Sequence, residues 1–241
     1  MSIPFVYTQY PLTDLGVSVI SLNGEESFHL AKVLRIRPGS KVILTDGNGY
    51  YVECEVATVN STETELKISG ELLFSPINPY KVHIAIAPPK HPDRLEWFVE
   101  KAVETGINRI TLILCEHSEK WNVKLPRLQR IMIAAMKQSQ QSRLPQLDGP
   151  VAFNDLLTNA MEEEKYIGYC DGVTHSLTSL AQPGKNILVA IGPEGDFSPI
   201  EVENAVKKGF HPISLGPARL RTETAGLVAS LTIHLVNHLK T

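Results

Sequence analysis

The sequence predicts an α/β protein in two parts, a small β-barrel over residues 1–74 and a parallel-sheet α/β domain over residues 75–241, and three observations carry that expectation. The run Ile187-Leu188-Val189-Ala190-Ile191 is apolar without a break, too short for a helix of its own and rich in β-branched residues, as a strand buried on both faces must be. Upstream, 82–87 and 110–114 are strands of the same kind separated by one helix length, a βαβ unit whose strands pair in parallel through a right-handed crossover. Before the Pro-rich junction Phe74-Ser75-Pro76-Ile77-Asn78-Pro79 the grammar differs, with short β-type runs alternating with turn residues, so the junction marks the domain boundary.

In the first part, Phe5–Tyr7, 41–44, Tyr50–Val59 and 65–68 read as strands, and Asp46-Gly47-Asn48-Gly49 as a hairpin turn between two of them. Residues 25–34 read as a short helical stretch with Phe28, Ala31 and Leu34 at helical spacing. Lys32, Arg35 and Arg37 are the cations there best suited to face a nucleic acid, and a solvated helix edge is the equal alternative. In the second part, Pro88-Pro89 stops the first strand, and Asp93 is placed to cap a helix whose Leu95, Phe98, Val99, Ala102 and Val103 form one apolar face before Gly106 ends it. A longer helix over 126–141 turns Leu128, Ile131, Met132, Ala135 and Met136 inward and Arg127, Arg130 and Lys137 outward. Asn154 is placed to cap a helix running to Glu164, and 166–170 reads as another strand. The final helix, 223–239, opens behind Thr222 as N-cap; its broad apolar surface suits a subunit interface or an ordinary core helix alike.

Composition narrows the classes. A chain of 241 residues with 43% hydrophobic and 20% charged residues is not disordered. No apolar run approaches the roughly 20 residues of a membrane span, and Met1-Ser2-Ile3-Pro4 lacks the basic start and apolar core of a signal peptide, so a cytoplasmic location away from membranes is expected. Cys54, Cys115 and Cys170 are odd in number and far apart, and Cys115-Glu116-His117 has no second ligand pair, so neither a disulfide framework nor a metal is expected. The formal net charge of -3 is unevenly spread, with 5 Lys+Arg against 9 Asp+Glu in residues 1–74 and 18 against 17 in the rest. Any grip on nucleic acid must therefore be local rather than a whole-surface field.

Two loops of unusual composition follow the last two strands. The first, Gly192-Pro193-Glu194-Gly195-Asp196-Phe197, leads into a helix start written at several levels: Ser198 as N-cap, Pro199 at the first helical position, Glu201 closing a capping box, and Phe197 placed to staple onto Val202. Lys207-Lys208 and Gly209 close that helix, and a short strand over 212–215 delivers the second loop, Leu215-Gly216-Pro217-Ala218-Arg219-Leu220-Arg221-Thr222. Glycines on either side of Pro193-Glu194 let main-chain N–H and C=O groups approach a ligand, a surface that suits a flat purine, although such a tetrapeptide alone is only a tight turn. Both loops follow strands and so lie at their carboxyl ends, where open α/β sheets bind ligands.

The run Ile191-Gly192-Pro193-Glu194-Gly195-x-Phe197-Ser198-x-x-Glu201, followed by Leu215-Gly216 and by Leu220-Arg221-Thr222-Glu223-Thr224-Ala225, resembles the RsmE family of ribosomal RNA methyltransferases. These enzymes of the SPOUT class methylate N3 of a uridine in small-subunit rRNA with S-adenosyl-L-methionine. The resemblance spans the chain and implies a SPOUT-type α/β domain with a deep trefoil knot behind a PUA-like β-barrel, a homodimer built around the final helix, and 16S rRNA as substrate. It implies a cofactor held by Ile191, Gly192, Glu194, Gly195, Leu215, Gly216, Leu220 and Thr222. The stretch from His29 to Arg35 is similar to one that helps hold rRNA in the family, and the polar run from Lys137 to Pro145 falls where the family often has Glu-Gln-Ser-x-Arg, with Arg143 the nearest substitute. Lys32, Arg35 and Arg37, on the charge reading above, and Arg143 and Arg219, on the resemblance, are the candidate RNA contacts. Two positions depart from the pattern: Asp196 stands where the family often has glycine, and Arg219 follows Ala218 one place later than the family's first arginine, whereas Arg221 matches.

That chemistry requires N3 to lose its proton while its lone pair faces a sulfonium methyl. A fixed cation beside the uracil oxygens favours the anion, and Arg221 and Arg219, at the mouth of the second loop, are placed for it. Glu194 and Glu223 are the carboxylates available as general base, each with a structural explanation as well. A stacked target must be extruded or single-stranded. The competing reading is a non-catalytic RNA-binding assembly factor, separated from the enzyme by whether S-adenosylmethionine binds. A dinucleotide oxidoreductase is disfavoured, since no Gly-x-Gly-x-x-Gly follows an early strand.

Overall fold

The computed structural model describes residues 3–14, 18–119, 123–173 and 175–239. Met1 and Ser2, read above for a leader, lie outside them. The chain forms two units, Met1–Ile77 with Ile133–Leu144, and Asn78–Met132 with Pro145–Thr241. The division thus falls after Ile77 rather than Phe74, and the segment 133–144, expected in the second part, packs with the first.

The first unit contains β1 (Phe5–Tyr7), β2 (Val19–Asn23), α1 (Glu25–Phe28), β3 (Lys41–Thr45), β4 (Tyr50–Val59), β5 (Glu63–Ile68) and β6 (Leu73–Phe74), in one curled sheet of order β1-β3-β4-β5-β2 with β6 paired to β4. β1 and β3 are parallel and the other pairs antiparallel. Val6, Leu30, Val42, Leu44, Val56 and Leu66 fill its core. The hairpin turn needs its glycines, since Gly47 and Gly49 take φ of 76° and 101°. β2 was not expected, because only Ile20 and Leu22 of its five residues face inward, too few for a period to show. The helical stretch also differs from its spacing. After α1 the chain widens into a π-type turn over His29–Val33, which rotates Leu30 into the core and leaves Phe28 and Leu34 exposed.

Segment 133–144 is held within this unit by the cations that sequence reading left outward. Lys137 is paired with Glu26. The Arg143 guanidinium donates to the carbonyls of Asn48 at 3.1 Å and Ser75 at 2.7 Å and stacks 4.6 Å from the centre of the Phe74 ring.

The second unit runs β7 (Val82–Ile86), α2 (Pro92–Glu104), β8 (Arg109–Leu114), the start of α3 (Leu125–Gln138), β9 (Gln146–Ala152), α4 (Phe153–Asn159), β10 (Glu164–Gly168), α5 (Leu177–Leu180), β11 (Ile187–Ile191), α6 (Pro199–Lys207), β12 (His211–Ile213) and α7 (Thr222–Leu239). Its sheet has the order β12-β10-β11-β7-β8-β9 and every pair is parallel. β11 and β7 are its central neighbours and every residue of both is buried, which is why neither sequence alternates. The edge strand β9 escaped notice because its residues are only half-covered and include Asp148, Gly149 and Pro150. α2 buries the expected face, but its N-cap is His91 without a side-chain bond, because Pro92 takes the first helical position and moves Asp93 inside the first turn. Asn154 likewise lies inside α4, whose N-cap is Ala152, and that helix ends at Asn159 rather than at Glu164. α7 lies over α2 and β7 at a distance that Gly226 permits, since a Cβ there would stand 2.7 Å from Cε2 of Phe98. Among the described residues no helix is long and apolar enough to cross a membrane.

Candidate active site

β10 and β11 end level, with Gly168 opposite Ile191, and β10 and β12 likewise, with Gly168 opposite Ile213. Their parallel course therefore delivers three loops to one edge of the sheet: Tyr169 to Asp171, Gly192 to Phe197, and Ser214 to Arg221. Between these loops lies a cleft of about 670 Å³, within the roughly 300–1,000 Å³ usual for small-molecule sites.

Local chemistry fixes each loop. The capping box of α6 is complete, with Ser198 Oγ accepting from the Glu201 N–H at 3.3 Å and Glu201 Oε2 accepting from the Ser198 N–H at 2.9 Å. Glu201 Oε1 also accepts from the Glu116 N–H at 2.9 Å. Phe197 is buried against Phe153, ring centres 4.7 Å apart, directly under Gly192, whose Cβ would stand 3.0 Å from the Phe197 ring. The first glycine is thus required by packing. Gly216 is required by conformation instead: its φ is +139° and a Cβ would meet nothing within 4 Å. Ser214 Oγ brackets it, accepting its N–H at 3.3 Å and donating to its carbonyl at 3.1 Å. Thr222 Oγ1 donates to the Gly192 carbonyl at 3.2 Å and joins the two loops.

Of the residues singled out from sequence, Ile191, Gly192, Glu194, Leu215, Gly216, Leu220 and Thr222 line the cleft, as do Arg219 and Arg221. Gly195 sits to one side against His117, and Glu223 does not reach the cleft. Glu223 is turned into the protein toward α2, where Arg94 Nε lies 3.8 Å from its Oε1 and its Oε2 has no hydrogen-bond partner among the described residues. The same guanidinium stands 3.8 Å from Glu194 Oε1, which also accepts from the Lys90 N–H at 3.1 Å. Arg221 and Arg219 are exposed. In the first unit Lys32, Arg35 and Arg37 are exposed, whereas Arg143 is committed to the carbonyls described above.

Sequence reading missed Arg94 and the loop after β10. Pro92-Asp93-Arg94 carries only a helix start, so nothing marked Arg94. Tyr169, Cys170 and Asp171 were within reach, because a strand expected over 166–170 must end at the same edge as the other two. The Cys170 thiol is held above its ordinary pKa by burial and by the Asp196 charge and hydrogen bond, with Arg219 pulling the other way. Cys115, deeper, is pushed up to about 12 by burial and by the Glu201 charge.

Residues 76–234 match the family model of an RNA methyltransferase domain, and residues 22–69 that of an RNA methyltransferase PUA domain. The chain belongs to the RsmE family of RNA methyltransferases. The ribosomal RNA small subunit methyltransferase E of Mycobacterium bovis is 31% identical over 231 residues, 90% of this chain and 86% of its own length. A probable rRNA methyltransferase from Porphyromonas gingivalis superposes with a TM-score of 0.90 at 34% identity, covering 99% of this chain and 100% of that one. The Neisseria gonorrhoeae ribosomal RNA small subunit methyltransferase E, crystallised with S-adenosyl methionine, superposes with a TM-score of 0.86 at 25% identity over 98% of both chains. In the terms of the RsmE family, the PUA-like match falls within the first unit, and the match to the SPOUT-type α/β domain covers most of the second together with segment 133–144 of the first.

Proposed function

We propose that the chain methylates N3 of a uridine in 16S rRNA, with S-adenosyl-L-methionine held in the cleft between the two loops. The observation that carries this reading is the convergence, in an RNA methyltransferase chain, of three strand-end loops on one cleft with two exposed arginines among its lining residues. The residues present fit the cofactor. Ile191, Leu215 and Leu220 offer apolar contact to a flat base, the bracketed Gly216 and the close-packed Gly192 present main-chain polar groups, and the Asp171 and Glu194 carboxylates suit a cationic ligand.

When bound, S-adenosylmethionine supplies a methyl group made electrophilic by its positive sulfur. The chain's part is placement and charge. Arg221, exposed, lining the cleft and adjoining the start of α7, favours the deprotonated uracil by standing beside its developing negative charge. Of the two carboxylates weighed as proton acceptors, Glu194 is the one at the cleft, while Glu223 holds α7 to Arg94. Lys32, Arg35 and Arg37 provide a cationic patch on the PUA-like unit for the RNA backbone, and Arg219 a further cation at the cleft. Leu231, Leu235 and Leu239 recur at helical spacing on the exposed side of α7 and support a homodimer through that helix; the knot implied by the resemblance and a cytoplasmic location complete the reading.

The test is transfer of labelled methyl to undermethylated small ribosomal subunits, with the modified nucleoside identified by chromatography and mass spectrometry. Wild type is expected to yield 3-methyluridine, and Arg221→Ala to lose about a hundredfold or more in rate, the scale of one transition-state donor, with cofactor affinity retained. Full activity in that variant removes Arg221 from the mechanism, and a different methylated nucleoside overturns the assignment to N3.

A further inference from the structure

Asp196 combines a strained backbone with an unusual number of local bonds. Its φ is +64°, in the left-handed region that side chains other than Asn and Asp rarely adopt. Its Oδ1 accepts from the Phe197 N–H at 2.8 Å and its Oδ2 from the Cys170 N–H at 3.2 Å. Its carbonyl accepts from His117 Nδ1–H at 3.0 Å, and its own N–H donates to the Pro193 carbonyl at 2.9 Å. The partners belong to three different strand exits: His117 follows β8, Cys170 follows β10, and Pro193 and Phe197 belong to the loop after β11. A turn residue needs only the bond to its own loop. The bonds from Cys170 and His117 reach across 26 and 79 residues.

We propose that Asp196 is a positioning residue for the cofactor cleft, its carboxylate bracing the wall formed by Tyr169 to Asp171 at a fixed distance from the Gly192 to Phe197 loop. This rests on the reading of the cleft as the S-adenosylmethionine site. Two of the three loops that line that cleft are joined through this one carboxylate, and a wall held in place before binding spares the ligand the cost of ordering it. Cys170 provides a reporter in the same place. It is exposed at the cleft, whereas Cys54 is buried and Cys115 partly so, and its thiol lies beside the Asp196 carboxylate.

Three substitutions separate bracing from backbone strain. Asp196→Gly relieves the positive φ and removes the carboxylate. Asp196→Asn keeps the backbone preference and an oxygen for the Phe197 N–H but presents an amide donor to the Cys170 N–H. Asp196→Ala removes the carboxylate and keeps the strain. By calorimetry with S-adenosylhomocysteine, all three are expected to weaken binding by about tenfold, the scale of one charge-assisted hydrogen bond, the Asn variant showing that the lost bond and not the backbone is the cause, while kcat at saturating cofactor changes far less than KM. Alkylation of Cys170 by iodoacetamide, with Cys170→Ser as background, is expected to quicken in all three variants as the charge and the bond beside the thiol are lost. An Asp196→Gly protein that binds cofactor as wild type does, with Cys170 labelled at the wild-type rate, overturns the proposal and leaves Asp196 a turn residue. A wild type that binds no cofactor defeats the functional reading instead, and the brace is then judged on the labelling rates alone.

Discussion

Gly226→Ala sets two opposing terms against each other at the contact between α2 and α7. Within a helix the change is worth about 1 kcal/mol in favour of alanine. The new Cβ would stand 2.7 Å from Phe98 Cε2 and 3.1 Å from both Phe98 Cδ2 and Ile86 Cδ1. Phe98 and Ile86 are both 0% exposed, so neither has open space to retreat into. Overpacking of this kind costs about 1–3 kcal/mol, occasionally more. With the 2.7 Å approach to a ring that has no open space to move into, the steric term wins, for a net loss of up to about 2 kcal/mol, which for a chain of this length lowers Tm by up to roughly 8 °C. Thermal unfolding followed by circular dichroism measures it, and a second variant isolates the cause. Phe98→Leu opens space at the same contact, so the double variant is expected to be more stable than the sum of the two single losses allows. A Gly226→Ala protein that melts higher than wild type, with the double variant simply additive, refutes the reasoning, because the helices would then not meet at that glycine.

Further expectations follow from the other contacts. At the amino-terminal ends of β7 and β8, His83 lies 2.6 Å from Glu162 and 2.8 Å from Thr111; burial alone would raise the Glu162 pKa, but the His83 hydrogen bond and charge, together with a backbone hydrogen bond and the Arg109 charge, outweigh it and hold the carboxyl below its ordinary value. A carboxyl depressed on folding stabilises fully above its unfolded pKa of about 4.3 and loses that contribution as pH falls through the folded value, so urea midpoints of wild type should fall more steeply in acid than those of Glu162→Gln, and parallel curves would remove the pair from the acid response. Arg143→Ala, which strands the Asn48 and Ser75 carbonyls, is expected to cost about 1–3 kcal/mol in urea unfolding, whereas a variant of wild-type stability with weakened RNA binding would return Arg143 to the role first read for it. Arg94→Met removes the cation facing both Glu194 and Glu223 and is expected to raise the KM for cofactor several-fold, with partial recovery in Arg94→Lys; an unchanged KM would detach Arg94 from the site.

Where one residue type at one position had a single physical reason, the sequence was sufficient. Ser198, Pro199 and Glu201 spelled the start of α6 because each satisfies a different terminal requirement, and the structure shows the complete capping box. The unbroken run of β11 announced its central place in the sheet because only strands covered on both faces lose their alternation. Local signals failed where a neighbour competed for the same position: Pro92 displaced Asp93 from the cap of α2, and the π-type turn after α1 turned Phe28 and Leu34 outward. They were silent where the determinant is another segment. Lys137 and Arg143 look like solvated cations until Glu26 and the Ser75 carbonyl are brought to them, and Arg94 gains significance only when two carboxylates distant in sequence arrive on either side. The cleft itself was legible in outline from the paired loops, while its third wall came from the loop after β10, whose Tyr169, Cys170 and Asp171 carry no motif.

The central claim, that the cleft between the strand-end loops holds the methyl donor, is tested most directly by a crystal of this protein soaked with S-adenosylhomocysteine. The expected result is ligand density between the Gly192 to Phe197 loop and the Ser214 to Arg221 loop, its base against Ile191, Leu215 and Leu220 and its sulfur directed toward the side of the cleft on which Arg221 stands. Well-ordered ligand elsewhere on the chain, with this cleft holding only solvent, would contradict it.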